Sequence, residues 1–153
     1  MKNIAFIGTS HIHTPNFISK VISNIKINCI GVWDKDKNRS KSDSEKLKCK
    51  NYDNYIDLLK EPNLDGVIVC SETNLHYELV KKITEHKKHC FIEKPLGIEK
   101  KDSFEMANLI KSSKVIFQTG YFMRSNPVYI KLKELITANY FGDVSRIRLV
   151  NCH

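Results

Sequence analysis

A lysine set between a carboxylate and a proline, Glu93-Lys94-Pro95, is the string in this 153-residue chain that most directly suggests proton chemistry. It closes an apolar run from His89 that reads as a strand. Proline cannot extend a sheet, so it fixes a sharp turn there. A lysine held at such a strand end beside a cationic ring deprotonates more easily. It can then hydrogen-bond a substrate hydroxyl or help move its proton. Taken alone, the three residues fit an exposed turn lysine better.

A second cluster, Gly8-Thr9-Ser10-His11-Ile12-His13, lies between the apolar run Ile4 to Ile7 and a helical pattern opening near Pro15. This is the station of a dinucleotide fingerprint, G-x-G-x-x-G. Only the first glycine is present; Ser10 and His13 stand in the other two places. Gly8 permits the tight turn, and free N–H groups at a helix start bind pyrophosphate. A plain strand-to-helix turn is about as good a reading of the six residues alone. Asp34 ends the next apolar run, close to the spacing of about 20 residues expected of an acid that accepts from an adenine-ribose diol. Such an acid repels a 2′-phosphate and favours NAD. Lys35, Lys37 and Arg39 supply phosphate partners and keep NADP open. A turn aspartate is the plainer alternative.

Ser71 to His76 follows the third apolar run, and its hydroxyls and amides suit the nicotinamide half of a dinucleotide, with Ser71, Asn74 and His76 as candidates. A lone histidine such as His76 is ordinarily packed against structure. Tyr121 and Arg124 follow the fifth run, where Arg124 could hold an anion or carboxylate, or sit in a surface ion pair. His11 and His13 combined with Cys70 or Cys90 fit no familiar metal spacing, so no metal is expected. Ser10 lacks the G-x-S-x-G context of a hydrolase.

The elements that must position these residues alternate. Apolar runs at 4–7, 29–33, 64–70, 89–93 and 115–117 read as strands. Helical patterns read over 15–24, 42–48, 54–60 (capped by Asp53), 74–87, 102–111 and from Pro127 to about Ala138, capped by Asn126. Residues 35–41 read as a polar loop. Alternation of strand and helix implies a doubly wound, mostly parallel α/β sheet covered on both faces. Ligands of such sheets sit beyond the carboxyl ends of the strands, which picks out Gly8 to His13, Asp34, Ser71 to His76, Glu93 to Pro95 and Gly120 to Arg124. Val144 to Val150 alternates Ile147 and Leu149 with Arg146 and Arg148, the pattern of a strand with one buried face. It follows the doubly wound set and has no partner, so it reads as an orphan strand at the entrance to a second domain. Pairing with a second copy in a homodimer is one way to cover it.

Composition narrows the rest. Apolar residues make up 41% and charged residues 27%, which suits a packed core. The formal net charge is +8. The excess is concentrated at 35–50 and 81–101. No arginine-rich or aromatic-interleaved basic motif accompanies it, so solvated helix faces are the better reading and no nucleic-acid partner is expected. A secondary reading is attraction of an anionic cofactor by the segment after Asp34. No apolar run approaches the roughly 20 residues of a membrane span, and the strand-like start argues against a cleavable signal. Five scattered cysteines suggest reduced thiols in a cytoplasmic protein.

The strings IGTSHIH, VWDKD, VIVCSETNLH, Glu93-Lys94-Pro95 and GYFMRSNP, spread from residue 4 to 127, together resemble the N-terminal Rossmann domain of the Gfo/Idh/MocA family of NAD(P)-dependent oxidoreductases. GDVSRIRLV resembles that family's entry into its C-terminal α/β domain. The resemblance implies a Rossmann domain over 1–142 and the start of a substrate domain from 143. It implies Lys94 as the active-site lysine with Glu93 beside it, and Asp34 at the adenine ribose. Gly8, Thr9, Ser10 and His11 would line the pyrophosphate turn, and Ser71, Asn74 and His76 the nicotinamide side. The implied chemistry is hydride transfer at a hydroxyl-bearing carbon of a sugar, inositol or related polyol. This stretch alone is expected to be inactive, since the second domain supplies the proton-transferring Asp/His pair. Glu72 stands where the family often has proline. The rival reading is a module that binds NAD(H) without chemistry, or partners another subunit.

Overall fold

The computed structural model describes residues 1–150. Six parallel strands form one sheet: β1 (Lys2–Ile7), β2 (Ile27–Trp33), β3 (Lys50–Asn51), β4 (Gly66–Val69), β5 (His89–Ile92) and β6 (Phe117–Thr119), in the order β3-β2-β1-β4-β5-β6. Helices α1 (Thr14–Ser23), α2 (Lys37–Leu47), α3 (Tyr55–Leu59), α4 (His76–Glu85) and α5 (Lys100–Ser113) connect them. The chain winds outward from β1 in one direction, returns, and winds outward in the other from β4. Ile7 pairs Val69 across that reversal. The loops after β1 and β4 therefore part around a crevice, the ligand position of doubly wound sheets.

Burial on both faces explains the unbroken apolar runs. Ala5 and Ile7 point into a core with Leu58, Leu59, Val67, Val69, Leu79, Ile83 and Met106. Phe6, between them, points into the other core, with Ile18, Val21, Val32 and Leu47. Phe6 and Ile7 are both 0% exposed, so neither face tolerates a polar residue at this strand.

Four local expectations change. The last strand runs Phe117–Thr119 and not 115–117. Residues 37–41 are helical rather than loop, because the Asp36 side chain accepts from the Asn38 and Arg39 amides and starts α2 early. The buried face of α2 carries Ser40, Asp43 and Ser44 above Leu47, so it has little apolar periodicity to read. The cap of α3 is Asn54, accepting from the Ile56 amide, and not Asp53. Residues 144–150 have no strand structure. A strand exists by its ladder, and among the described residues none pairs with this segment. The Asn126 cap on α6 (Pro127–Thr137) is as expected, accepting from the Val128 amide.

Contacts divide the chain into two compact units, Met1–Gly120 and a second from Tyr121 onward. The first holds the whole sheet. The second holds α6, which buries none of its residues. No helix among the described residues is long and apolar enough to cross a membrane.

The turn at Gly8 makes the crevice testable. Gly8 has φ +78°, and a Cβ there would stand 2.7 Å from Ser71 Cα. The left-handed conformation alone costs an L-residue about 1–2 kcal/mol. Gly8→Ala is therefore expected to lower the urea-unfolding free energy by more than that, because β1 and β4 must also part. An unfolding free energy equal to wild type would refute this account of the turn.

Candidate functional site

Asp34 closes β2 and is 1% exposed. Its Oδ2 accepts from the Thr9 amide at 2.6 Å, tying the turn after β1 to the end of β2. Oδ1 accepts from the Asp36 amide at 2.8 Å. Arg39 then forks onto both oxygens, Nε to Oδ2 at 3.1 Å and Nη2 to Oδ1 at 2.9 Å. Bidentate guanidinium–carboxylate pairs are among the stronger charge-assisted contacts. Burial pushes the Asp34 carboxyl up, but the hydrogen bonds from Arg39, Thr9 and Asp36 outweigh it and hold it below the ordinary carboxylate range. Asp34 also raises Arg39 above its usual value.

Glu72 extends this cluster. Its carboxylate pairs with Lys35 Nζ at 2.9 Å and lies 3.9 Å from Arg39. Burial raises its pKa, yet the Lys35 contact brings it below the normal value. Lys37 pairs with Asp53. The basic residues just after Asp34 are thus matched by acids, which weakens the reading of this segment as a bare anion attractor.

The glycine turn leaves donors free. His11 N–H donates to the Cys70 carbonyl at 2.9 Å, and Thr9 N–H is taken by Asp34. The Ser10 and Ile12 amides have no acceptor among the described residues. They sit just before α1, where the helix dipole favours an anion. A cleft of about 390 Å³ adjoins them, lined by Thr9, His11, Ile12, Thr14, Arg39 and Lys46 among others. The Thr14 hydroxyl is buried against the Cys70 thiol. A larger concavity of about 1000 Å³ lies along α6 in the second unit, lined by residues such as Tyr129, Ile130 and Lys133. It contains none of the turn residues.

Glu93 ends β5 and is 2% exposed. Its Oε2 accepts from the Lys94 amide at 2.9 Å, and its Oε1 lies 3.2 Å from His13 Nδ1. Gly120 packs against it so closely that a Cβ would stand 2.8 Å from Oε2. The Lys94–Pro95 bond is cis. Lys94 is half-buried, and its Nζ has no partner among the described residues. His11 Nδ1 accepts from the His13 amide at 3.2 Å. Burial is the main cause that lowers the His11 pKa.

The remaining candidates separate. Ser71 is buried against Gly8, and Asn74 is exposed in the short 3-10 turn Thr73–Leu75. His76 is 1% exposed, with Nδ1 3.0 and 3.1 Å from the Pro95 and Leu96 carbonyls and Nε2 3.3 Å from the Ser71 carbonyl. It tethers the loop after β4 to the turn carrying Lys94. Tyr121 and Arg124 belong to the second unit, where the guanidinium lies 5.9 Å from the Tyr121 ring centre. Three features escape sequence reasoning: the Arg39 fork, the His13–Glu93 contact and the packing of Gly120. The first had a signal, because an Asp36 cap places Arg39 at the third helical position, facing back toward the helix start.

Asp34 is expected to make stability depend on acid pH. Its folded pKa is depressed, so its contribution is complete above the unfolded value of about 3.9 and is lost as pH falls through the folded value. Asp34→Ala should cost about 1–3 kcal/mol near neutrality by stranding the Thr9 and Asp36 amides. The difference between the two proteins in urea unfolding should shrink below that window as the charge-dependent part is lost. A difference that is unchanged in acid would contradict the assignment.

The family model described as an oxidoreductase family with an NAD-binding Rossmann fold, Gfo/Idh/MocA, matches residues 2–121. Among curated relatives, the chain is 34% identical over 146 residues to myo-inositol 2-dehydrogenase of Thermotoga maritima, covering 95% of this chain and 42% of that protein. It is 29% identical over 131 residues to scyllo-inositol 2-dehydrogenase (NAD(+)) of Bacillus subtilis, covering 85% and 37%. The crystal structure of myo-inositol 2-dehydrogenase from Lactobacillus plantarum superposes with TM-score 0.78 at 25% identity, over 94% of this chain and 43% of that one. The chain thus spans about 40% of the length of the relatives it matches. With the sheet order, the glycine turn and the acid at the end of β2 in place, these likenesses show that the chain belongs to the Gfo/Idh/MocA oxidoreductase family and carries its NAD-binding Rossmann domain.

Proposed function

We propose that this chain is the nucleotide-binding part of an NAD(P)-dependent dehydrogenase that transfers hydride to or from a hydroxyl-bearing carbon of an inositol, sugar or related polyol. The observation that carries the reading is the Thr9–Asp34 hydrogen bond, which holds a glycine turn with free amides beside a buried acid at the sheet's reversal. The residues present fit a dinucleotide. Ser10 and Ile12 amides would hold pyrophosphate oxygens, and Asp34 and Arg39 would meet the adenine ribose. Bound there, the nicotinamide supplies the hydride acceptor or donor. Lys94, with no competing partner for its Nζ, would hydrogen-bond the substrate hydroxyl and help move its proton. Glu93 and His76 would keep the Lys94 turn in place. Thr9, His11, Ser71 and Asn74 would border the cofactor.

The substrate class rests on the inositol dehydrogenases among the relatives. Substrate contacts, including any by Tyr121 and Arg124, would be completed by a further domain entered near residue 143. The exposed apolar residues of the second unit, among them Val128, Phe141, Ile147 and Leu149, are surface such a domain would cover. Activity of this stretch alone is expected to be absent. The reduced cysteines fit a cytoplasmic setting.

Arg39 occupies both oxygens that a ribose diol would use, so it sets the choice of cofactor. It either yields to the diol of NADH or meets the 2′-phosphate of NADPH. Trp33, the only tryptophan, directly precedes Asp34 and reports on binding through its emission. NADH should bind saturably, and Asp34→Ala should weaken it by about 1.5–3 kcal/mol, roughly ten- to hundredfold. Arg39→Ala should weaken NADPH more than NADH. Absence of saturable binding by either dinucleotide would overturn the proposal.

A further inference from the structure

His11, His13 and Glu93 each offer one ligand atom, and the three atoms lie within 4.8 Å of one another. In the sequence these histidines form no familiar metal spacing with Cys70 or Cys90, both of which are buried; the fold places them beside the carboxylate that ends β5. Glu93 is buried, yet no lysine or arginine side chain pairs with it among the described residues. Buried carboxylates are ordinarily paired with a cation or coordinate a metal. Here the charged side faces two imidazoles, whose rings lie 4.7 Å apart, edge to face. Two imidazole nitrogens and one carboxylate oxygen form a ligand set of the borderline kind that zinc and its neighbours take.

The spacing agrees. Tetrahedral bonds of about 2.0–2.1 Å place neighbouring ligand atoms about 3.4 Å apart. His13 Nδ1 and Glu93 Oε1, 3.2 Å apart, already stand near that separation. His11 lies on the half-exposed turn and reaches the ion by side-chain rotation. Coordination gives up two long hydrogen bonds, the 3.2 Å contact between His13 Nδ1 and Glu93 Oε1 and the one from the His13 amide to His11 Nδ1, the latter whichever His11 ring nitrogen binds, because a ligand Nε2 moves the proton to Nδ1. Glu93 Oε2 keeps the Lys94 amide, which fixes the carboxylate's orientation from behind.

We propose that His11, His13 and Glu93 form a three-ligand site for a divalent transition-metal ion of the zinc and cobalt class, with the fourth position open to solvent. The site goes beyond the nucleotide reading and does not require it, since all three ligands come from this chain and none depends on a bound cofactor.

The test is a titration of tag-free chain with cobalt(II) alone, in the absence of any dinucleotide. One equivalent should bind with visible d–d absorption, and zinc should displace it. His11→Ala and His13→Ala should each weaken binding at least about tenfold, the lower bound seen when even an outer partner of a metal site is lost. His13→Gln keeps a donor toward Glu93 but removes the imidazole, and it should lose the ion while its far-ultraviolet circular dichroism stays native. Three results would each overturn the proposal: no saturable cobalt spectrum, a spectrum unchanged in the histidine variants, or a sulfur-to-cobalt charge-transfer band abolished by Cys29→Ser. The last would place the ion at Cys29 and Cys49, whose sulfurs are 3.7 Å apart. The NADH titration is read separately, so either reading can fail without the other.

Discussion

The buried carboxylate of Asp34 organises one side of the crevice. An ionised group at 1% exposure is sustained only by full hydrogen bonding, and Asp34 obtains it from three directions. Thr9 brings the turn after β1, Asp36 brings the start of α2, and Arg39 brings the helix's third residue. The donors are fixed by the acid as much as the acid is by them. The backbone of the glycine turn therefore has a defined position, and the Ser10 and Ile12 amides stand just beyond its anchored end.

Glu93 plays the matching part at the end of β5, with a different partner. Asp34 faces a guanidinium, which stays charged at every accessible pH. Glu93 faces imidazole, which is both a hydrogen-bond partner and a metal ligand. Between them the His76 ring packs among the carbonyls of Ser71, Pro95 and Leu96. The loop that bears Lys94 is thereby held through both its carboxylate neighbour and a buried ring. Gly120 completes the arrangement by being small where Glu93 passes.

The second unit follows other physics. Its helix has a cap that holds, Asn126, and a proline at its start, so local chemistry suffices to form it. Its apolar side chains remain exposed because no described element covers them. The alternating residues 144–150 carry the pattern of a strand without the ladder that would make one. Pattern specifies which face a segment would bury; hydrogen-bonded neighbours decide whether the strand exists.

What the residues determined alone was the framework. Unbroken apolar runs demanded a sheet buried on both faces, Gly8 demanded a tight turn, and Asp34 stood at the end of its strand by position in the chain. α2 was only half legible, because Ser40 and Ser44 on its inner face hide the helical period and the Asp36 cap extends it toward Asp34. The tertiary structure decided the partnerships between strand ends: Thr9 on Asp34, His76 on the Pro95 and Leu96 carbonyls, and His13 on Glu93, the last pair separated by 80 positions in the chain. These contacts depend on which strand ends become neighbours. That is set by the order β3-β2-β1-β4-β5-β6, in which residues distant along the chain meet at one edge of the sheet. Spacing along a sequence reports local geometry; it carries no record of the lateral order of strands.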